Sequence, residues 1–182
     1  MTWIVVIAII ALLILWVISV QNKLVRSDEL CKNALKQINV QQISRYDALQ
    51  ALVKLTREYA SYEADTLEKI IAQRKMVSSP NPSVADINAN EAALKDIGAR
   101  LIAVAEQYPE LKANENYKQT MASIEKYEEN VRLSRMTFND TVTQYNNQVR
   151  MFPGSLVAGL LNFPQREYLA DEPAKKDYPD II

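Results

Sequence analysis

The chain has 182 residues, 21 basic against 22 acidic side chains for a net charge of −1, no histidine and one cysteine, Cys31. Near-neutral charge argues against nucleic acid as a partner, which calls for a concentrated basic surface. The lone cysteine excludes an intrachain disulfide, and the lack of histidine removes the Glu-x-x-His pairs of di-iron bundles and the usual base of a nucleophilic triad.

Residues Trp3 to Val20 read WIVVIAIIALLILWVISV, without a charge. As a helix this run rises about 27 Å, close to the roughly 30 Å hydrocarbon core of a bilayer. No basic stretch precedes it and no small-residue cleavage motif follows in SVQNKLVR, so residues 1–22 read as an uncleaved transmembrane anchor rather than a signal peptide. Lys23, Arg26, Lys32 and Lys36 follow the run and no basic side chain precedes it. That asymmetry predicts an outside N-terminus and a cytoplasmic C-terminal part. With no charge and no Gly-x-x-x-Gly face, the segment predicts a plain anchor in membrane lipid.

No glycine or proline occurs before Pro80, and the whole chain has only three glycines. Strand-rich folds need glycine at their tight turns, so this scarcity predicts long helices. From residue 23 to about 78, apolar residues recur every three or four positions, at Leu24, Cys31, Leu35, Ile38, Tyr46, Leu49, Leu52, Val53, Tyr59, Leu67, Ile70 and Ile71. This is one helical stripe, with the polar stretch Asn39–Gln42 as the place for any bend. Pro80 and Pro82 stop it. Ser83 and Asp86 supply a helix-start signal, and a second helix is predicted over 84–108, ending at Pro109 and the polar KANEN turn. A third is predicted over 115–152. Its stripe is Tyr117, Met121, Ile124, Glu128, Val131, Arg135, Phe138, Val142, Tyr145, Val149 and Phe152, the spacing of bundles and coiled coils. After Phe152-Pro153-Gly154 a short helix is predicted over 155–161, then an extended or disordered tail over 164–182. The fold class expected is all-α: an anchor helix, 1–22, continuing into an elongated antiparallel bundle, 23–163, of three long helices and a short fourth.

Few residues suggest chemistry. Glu128 and Arg135 interrupt the apolar seam of the third helix, where a charge is costly unless paired. An interhelix ion pair that fixes register, with Arg45 or Glu63, accounts for them better than a reactive site. Cys31 lies on the first stripe and reads as core, with lipid attachment as the alternative. Tyr46, Tyr59, Tyr62, Tyr117, Tyr127 and Tyr145 read as core rim, each hydroxyl reaching a polar partner. The apolar run Leu156–Phe163 suits either lipid contact or a bundle cap. No P-loop or Gly-x-Gly-x-x-Gly motif occurs. The sequence thus predicts no catalytic residue, no cofactor and no metal site. A first helix of about 80 Å outreaches its partners, and uncovered apolar positions on it predict homo-oligomerisation.

The ordered motifs resemble the bacterial LemA family. Ala34-Leu35-Lys36-Gln37-Ile38-Asn39-Val40-Gln41 is similar to the family's Ala-Trp-x-Gln-Ile-Asp-Val-Gln, followed in register by Arg45-Tyr46-Asp47, Leu52-Val53, Tyr59-Ala60 and Glu63. Tyr108-Pro109-Glu110-Leu111-Lys112-Ala113-Asn114 matches Tyr-Pro-x-Leu-Lys-Ala-Asn, and the series Glu128, Val131, Arg135, Phe138-Asn139, Val142 and Tyr145-Asn146 also corresponds. Leu35 stands where the family has Trp, Asn39 where it has Asp, and Gln50 where it has Pro. The missing proline favours an unbroken first helix. The resemblance implies a single-pass membrane protein with a helical bundle and no enzymatic activity. It also implies possible partners, a membrane zinc protease of the HtpX type or a small envelope protein, in membrane-protein quality control. The combined expectation is a self-assembling scaffold on the bacterial inner membrane, with an adaptor to such a protease as the alternative.

Overall fold

A computed structural model describes residues 1–73 and 80–170, apart from the side chains of Thr66 and residues 69–73. The described residues form helices α1 (Thr2–Thr56), α2 (Ser61–Gln73), α3 (Val84–Gln107), α4 (Pro109–Ala113), α5 (Glu115–Arg150) and α6 (Gly154–Leu160). Among the described residues there is no strand.

α1 runs unbroken through Asn39. It ends at Thr56, well short of residue 78, so the expected long first helix is two helices. No glycine or proline marks this corner. The buried Thr56 hydroxyl donates back to the Leu52 carbonyl at 2.9 Å, and the Tyr59 and Ala60 amides both turn back to the Thr56 carbonyl, at 3.1 and 2.8 Å. Tertiary contacts hold the turn. The Asn114 amide donates to the Tyr59 hydroxyl at 2.8 Å, and Arg57 pairs with Asp65 and Glu68 across the corner. Small residues on its inner side, Ala60 and Ala64, are buried. The side chains of Ile70 and Ile71, the expected helix end at 74–78 and the tail beyond 170 lie outside the described residues.

Direction follows from paired contacts. Ser27 meets Gln148, Gln41 meets Asn130, Arg45 meets Glu128 and Tyr59 meets Asn114. Numbers rise on α1 as they fall on α5, so the two are antiparallel. Residues 23–56 of α1 span about 50 Å and the 36 residues of α5 about 54 Å. α3 lies beside the upper part of α1, with Gln42 and Arg45 meeting Glu91. At its far end Tyr108 donates to Glu63 on α2 at 2.9 Å.

Two caps fix the later helices. Ser83 and Asp86 form a reciprocal capping box, the Asp86 amide donating to Ser83 Oγ at 3.1 Å and the Ser83 amide to Asp86 Oδ2 at 2.8 Å. The backbone hydrogen bond from Ser83 holds the Asp86 carboxyl below its ordinary range. Asn114 caps α5, accepting from the Asn116 and Tyr117 amides at 2.8 and 3.3 Å. Between them the expected KANEN turn begins as the last turn of α4, where Leu111 is fully buried.

The interior is a stack of three apolar clusters. The upper one joins Leu49, Leu52 and Val53 to Leu94, Ile97, Leu101, Leu111 and Ile124. The middle one joins Cys31, Leu35 and Ile38 to Ile87, Val131, Phe138, Val142, Tyr145 and Leu169. The lowest joins Leu24 to Val157 and Ala158 of α6. Below these, the Trp3–Val20 run is uncovered by the rest of the chain almost throughout.

Candidate functional site: a polar seam and a C-terminal strap

Two polar arrangements cross the bundle. In the upper one, the Arg45 guanidinium, its side chain only 4% exposed, bridges Glu91 on α3 at 3.0 Å and Glu128 on α5 at 3.1 Å. Gln42, one turn earlier, donates to the Glu91 carboxylate at 3.1 Å and to the Ile87 carbonyl at 3.0 Å. Three helices are thereby keyed to one register. Glu128 therefore pairs with Arg45, as expected of an interhelix ion pair, although it is half-exposed. Glu91 and Gln42, absent from the sequence expectation, sit deeper. Arg45 Nε and Gln42 Oε1 are buried without a hydrogen-bond partner among the described residues. Each such atom costs about 1–3 kcal/mol. The cluster thus specifies geometry at the expense of stability.

The lower arrangement holds residues 163–170, which leave α6 and run back along α5 as an extended strap. Two asparagine side chains grip its backbone. Asn146 donates to the Arg166 carbonyl and accepts from the Arg166 amide, both at 2.9 Å. Asn139 does the same to Leu169, at 3.1 and 3.0 Å. The spacings agree: seven helical residues rise about 10.5 Å, and three extended residues span about 10 Å. Tyr145 donates to the Pro164 carbonyl at 2.8 Å, and Arg135 to the Ala170 carbonyl at 2.7 Å. Arg135 thus binds a main-chain oxygen of the strap, where an ion pair was expected. Glu63 likewise meets Tyr108 rather than the seam.

Side chains of the strap add the rest. Leu169 is 2% exposed and enters the middle cluster, to which α3 contributes Ile87. Arg166 lies over the Tyr145 ring and pairs with Asp28 of α1 at 2.6 Å. Partial burial pushes the Asp28 carboxyl up, but its hydrogen bonds and charge contacts with Arg166 and Lys32 outweigh that and hold it below the ordinary aspartate range. Cys31 beneath them is fully buried, and that burial raises its thiol pKa. The thiol is therefore a neutral core group at pH 7. Tyr117 and Tyr145 are buried, Tyr46 and Tyr59 half-buried, and Tyr62 is exposed. Among the described residues, no three His, Cys, Asp or Glu side chains gather as a metal ion would need.

A model of the LemA family matches residues 34–182, which take in both the seam and the strap. The chain belongs to the LemA family. The LemA-family chain is 25% identical over 142 residues to Protein LemA of Metamycoplasma hominis, a match covering 78% of the chain and 65% of that protein. It is 32% identical over 75 residues to Magnetosome protein MamQ 1 of Paramagnetospirillum magneticum, covering 41% of the chain and 28% of the relative. Magnetosome protein MamQ of Magnetospirillum gryphiswaldense matches to the same extent, 32% over 75 residues. The aligned stretch is thus under a third of either MamQ protein. With family and relatives of this kind, and a helix long and apolar enough to cross a membrane, the chain is a membrane-associated helical protein.

Proposed function

We propose that this LemA-family chain is a non-enzymatic scaffold of the bacterial inner membrane, spanning it once through Trp3–Val20 with its N-terminus outside and its bundle in the cytoplasm. One observation carries the reading: α1 passes from the span into the bundle without a break. Of the polar groups that sequence alone singles out, Arg45, Tyr59, Glu63, Glu128, Arg135 and Tyr145 each join two parts of the rod. The basic residues after the span support the orientation. None of the relatives' names is that of an enzyme.

Self-assembly through the long helices is the first form of this reading. Its expected driving force is reduced, because with α1 ending at Thr56 its soluble stripe is matched in length by α5 and buried against it. What the long helices keep for another copy is small: Val25, Leu30 and Val40 on α1, Ile102 on α3, and the neighbouring Leu133 and Met136 on α5, each about half exposed. This favours weak or lipid-assisted association, and it keeps the second reading alive, a small-oligomer adaptor to a membrane protease. The mass of the full-length protein in mild detergent separates the two. A large defined particle supports the scaffold. A monomer that captures a protease in stoichiometric amount supports the adaptor and overturns the scaffold.

A further inference from the structure

Residues 151–165 read MFPGSLVAGLLNFPQ, a stretch with no charge, flanked by Arg150 and Arg166. α6 lies within it and has two unlike faces. Val157 and Ala158 are buried against Leu24, with Val17, Val20, Val149 and Phe163 around them. The opposite face is bare. Leu156 is 61% exposed and Leu160 78%, and Phe152 beside them is 80% exposed. Met151 and Leu161 extend the same exposed apolar stretch.

The height of this face decides what covers it. Val17 and Val20 belong to the apolar run that ends at Val20, and the first charge is Lys23. Along α1, Val17 and Lys23 are about 9 Å apart. A helix packed on Val17, Val20 and Leu24 therefore sits where the span leaves the hydrocarbon, within the interfacial layer of a bilayer. Exposed Lys23, Arg26 and Arg150 stand at the same level, as basic residues do at phosphate headgroups. A soluble bundle end would carry polar side chains here.

We propose that Met151–Leu161 is a second membrane contact: α6 lies in the bilayer interface beside the span, with Phe152, Leu156 and Leu160 among the acyl chains. The inference rests on Trp3–Val20 being a membrane span. It goes beyond that reading in giving the bundle a lipid-inserted foot that sets its orientation about the anchor.

The test uses the full-length protein in phosphatidylcholine/phosphatidylglycerol vesicles, with and without acyl chains brominated near the interface. Leu160→Cys and Met136→Cys, both at exposed positions, are each labelled with an environment-sensitive fluorophore. The parent chain, whose Cys31 is buried, gives the labelling background. Met136 lies about 22 Å up α5 from Met151. The label at position 160 should lose most of its intensity to the brominated lipid and the label at 136 should lose none. Equal behaviour of the two labels overturns the inference. So does a blue-shifted label at 160 that bromine leaves bright, which assigns the face to a second copy of the chain. Trp3 and Trp16, the two tryptophans of the chain, both lie in the span and report on it separately. If they are quenched while position 160 is not, α6 stays out of the bilayer and the anchor stands. If they are not quenched either, both readings fall.

Discussion

Arg45 shows how differently two partners of one guanidinium can matter. Glu91 is nearly as buried as Arg45, whereas the Glu128 side chain is 54% exposed. Replacing Arg45 by Met leaves the buried Glu91 carboxylate with only Gln42 and the more distant Lys95, at 4.0 Å, and should cost about 3 kcal/mol. Replacing Glu128 by Gln removes only a solvent-screened contact and should stay within about 1 kcal/mol. Urea denaturation of the two variants checks the order; equal costs would show that Glu91 is not the deeper partner. Asp28 gives a pH dependence. Its carboxyl is held below its ordinary range, so the Asp28–Arg166 pair adds its full stabilisation above about pH 3.9, the unfolded value. That contribution is lost as the pH falls through the lower folded value. The protection factors of the Arg166 and Leu169 amides, taken relative to intrinsic exchange at each pH, should therefore fall in acid, and Asp28→Asn should remove that part of the acid response. At this scale the sequence is half legible. Glu128 and Arg135 stand out because they break an apolar stripe. Asn139 and Asn146 break no stripe; they surface only in the series shared with the family, and what they hold is legible only once the strap lies across them.

Among the elements, α5 is the one whose sequence declares its structure. Its seven buried apolar and polar seam residues, from Tyr117 to Tyr145, all lie on the expected stripe. Phe138, 2% exposed at the centre of the middle cluster, should cost about 3–5 kcal/mol as Ala. As Asp it should unfold the bundle, seen as loss of helical circular dichroism. The corner after Thr56 is illegible for a physical reason: Arg57–Ala60 contains no helix breaker, and its geometry depends on Asn114, 55 residues away from Tyr59. The strap is hidden in the same way. A proline-bearing tail suggests an extended chain, yet only the paired side-chain amides of α5 determine where it lies. Asn139→Ala with Asn146→Ala removes four hydrogen bonds to the strap, each worth about 1 kcal/mol. Because Cys31 shares the cluster that Leu169 closes, the double variant should label with a thiol reagent much faster than the parent at equal global stability. An unchanged rate would show that the strap is held by other contacts.

The whole molecule is a layered rod rather than a sphere, with its lowest cluster built on the end of the apolar run. All-α class, the long apolar N-terminal helix and the family follow from periodicity, composition and ordered motifs. The way in which one chain covers its own first helix does not, because that depends on where α1 stops. With Trp3–Val20 spanning the membrane as proposed, the unbroken α1 makes the soluble part a lever. In a bilayer that tilts the span by about 20°, a common value, the far end of a 50 Å arm moves sideways by roughly 17 Å. Thin membranes lay such an arm down and thick ones stand it up. The reach of the distal corner, where Tyr59 meets Asn114, is therefore set by the thickness of the lipid around residues 3–20.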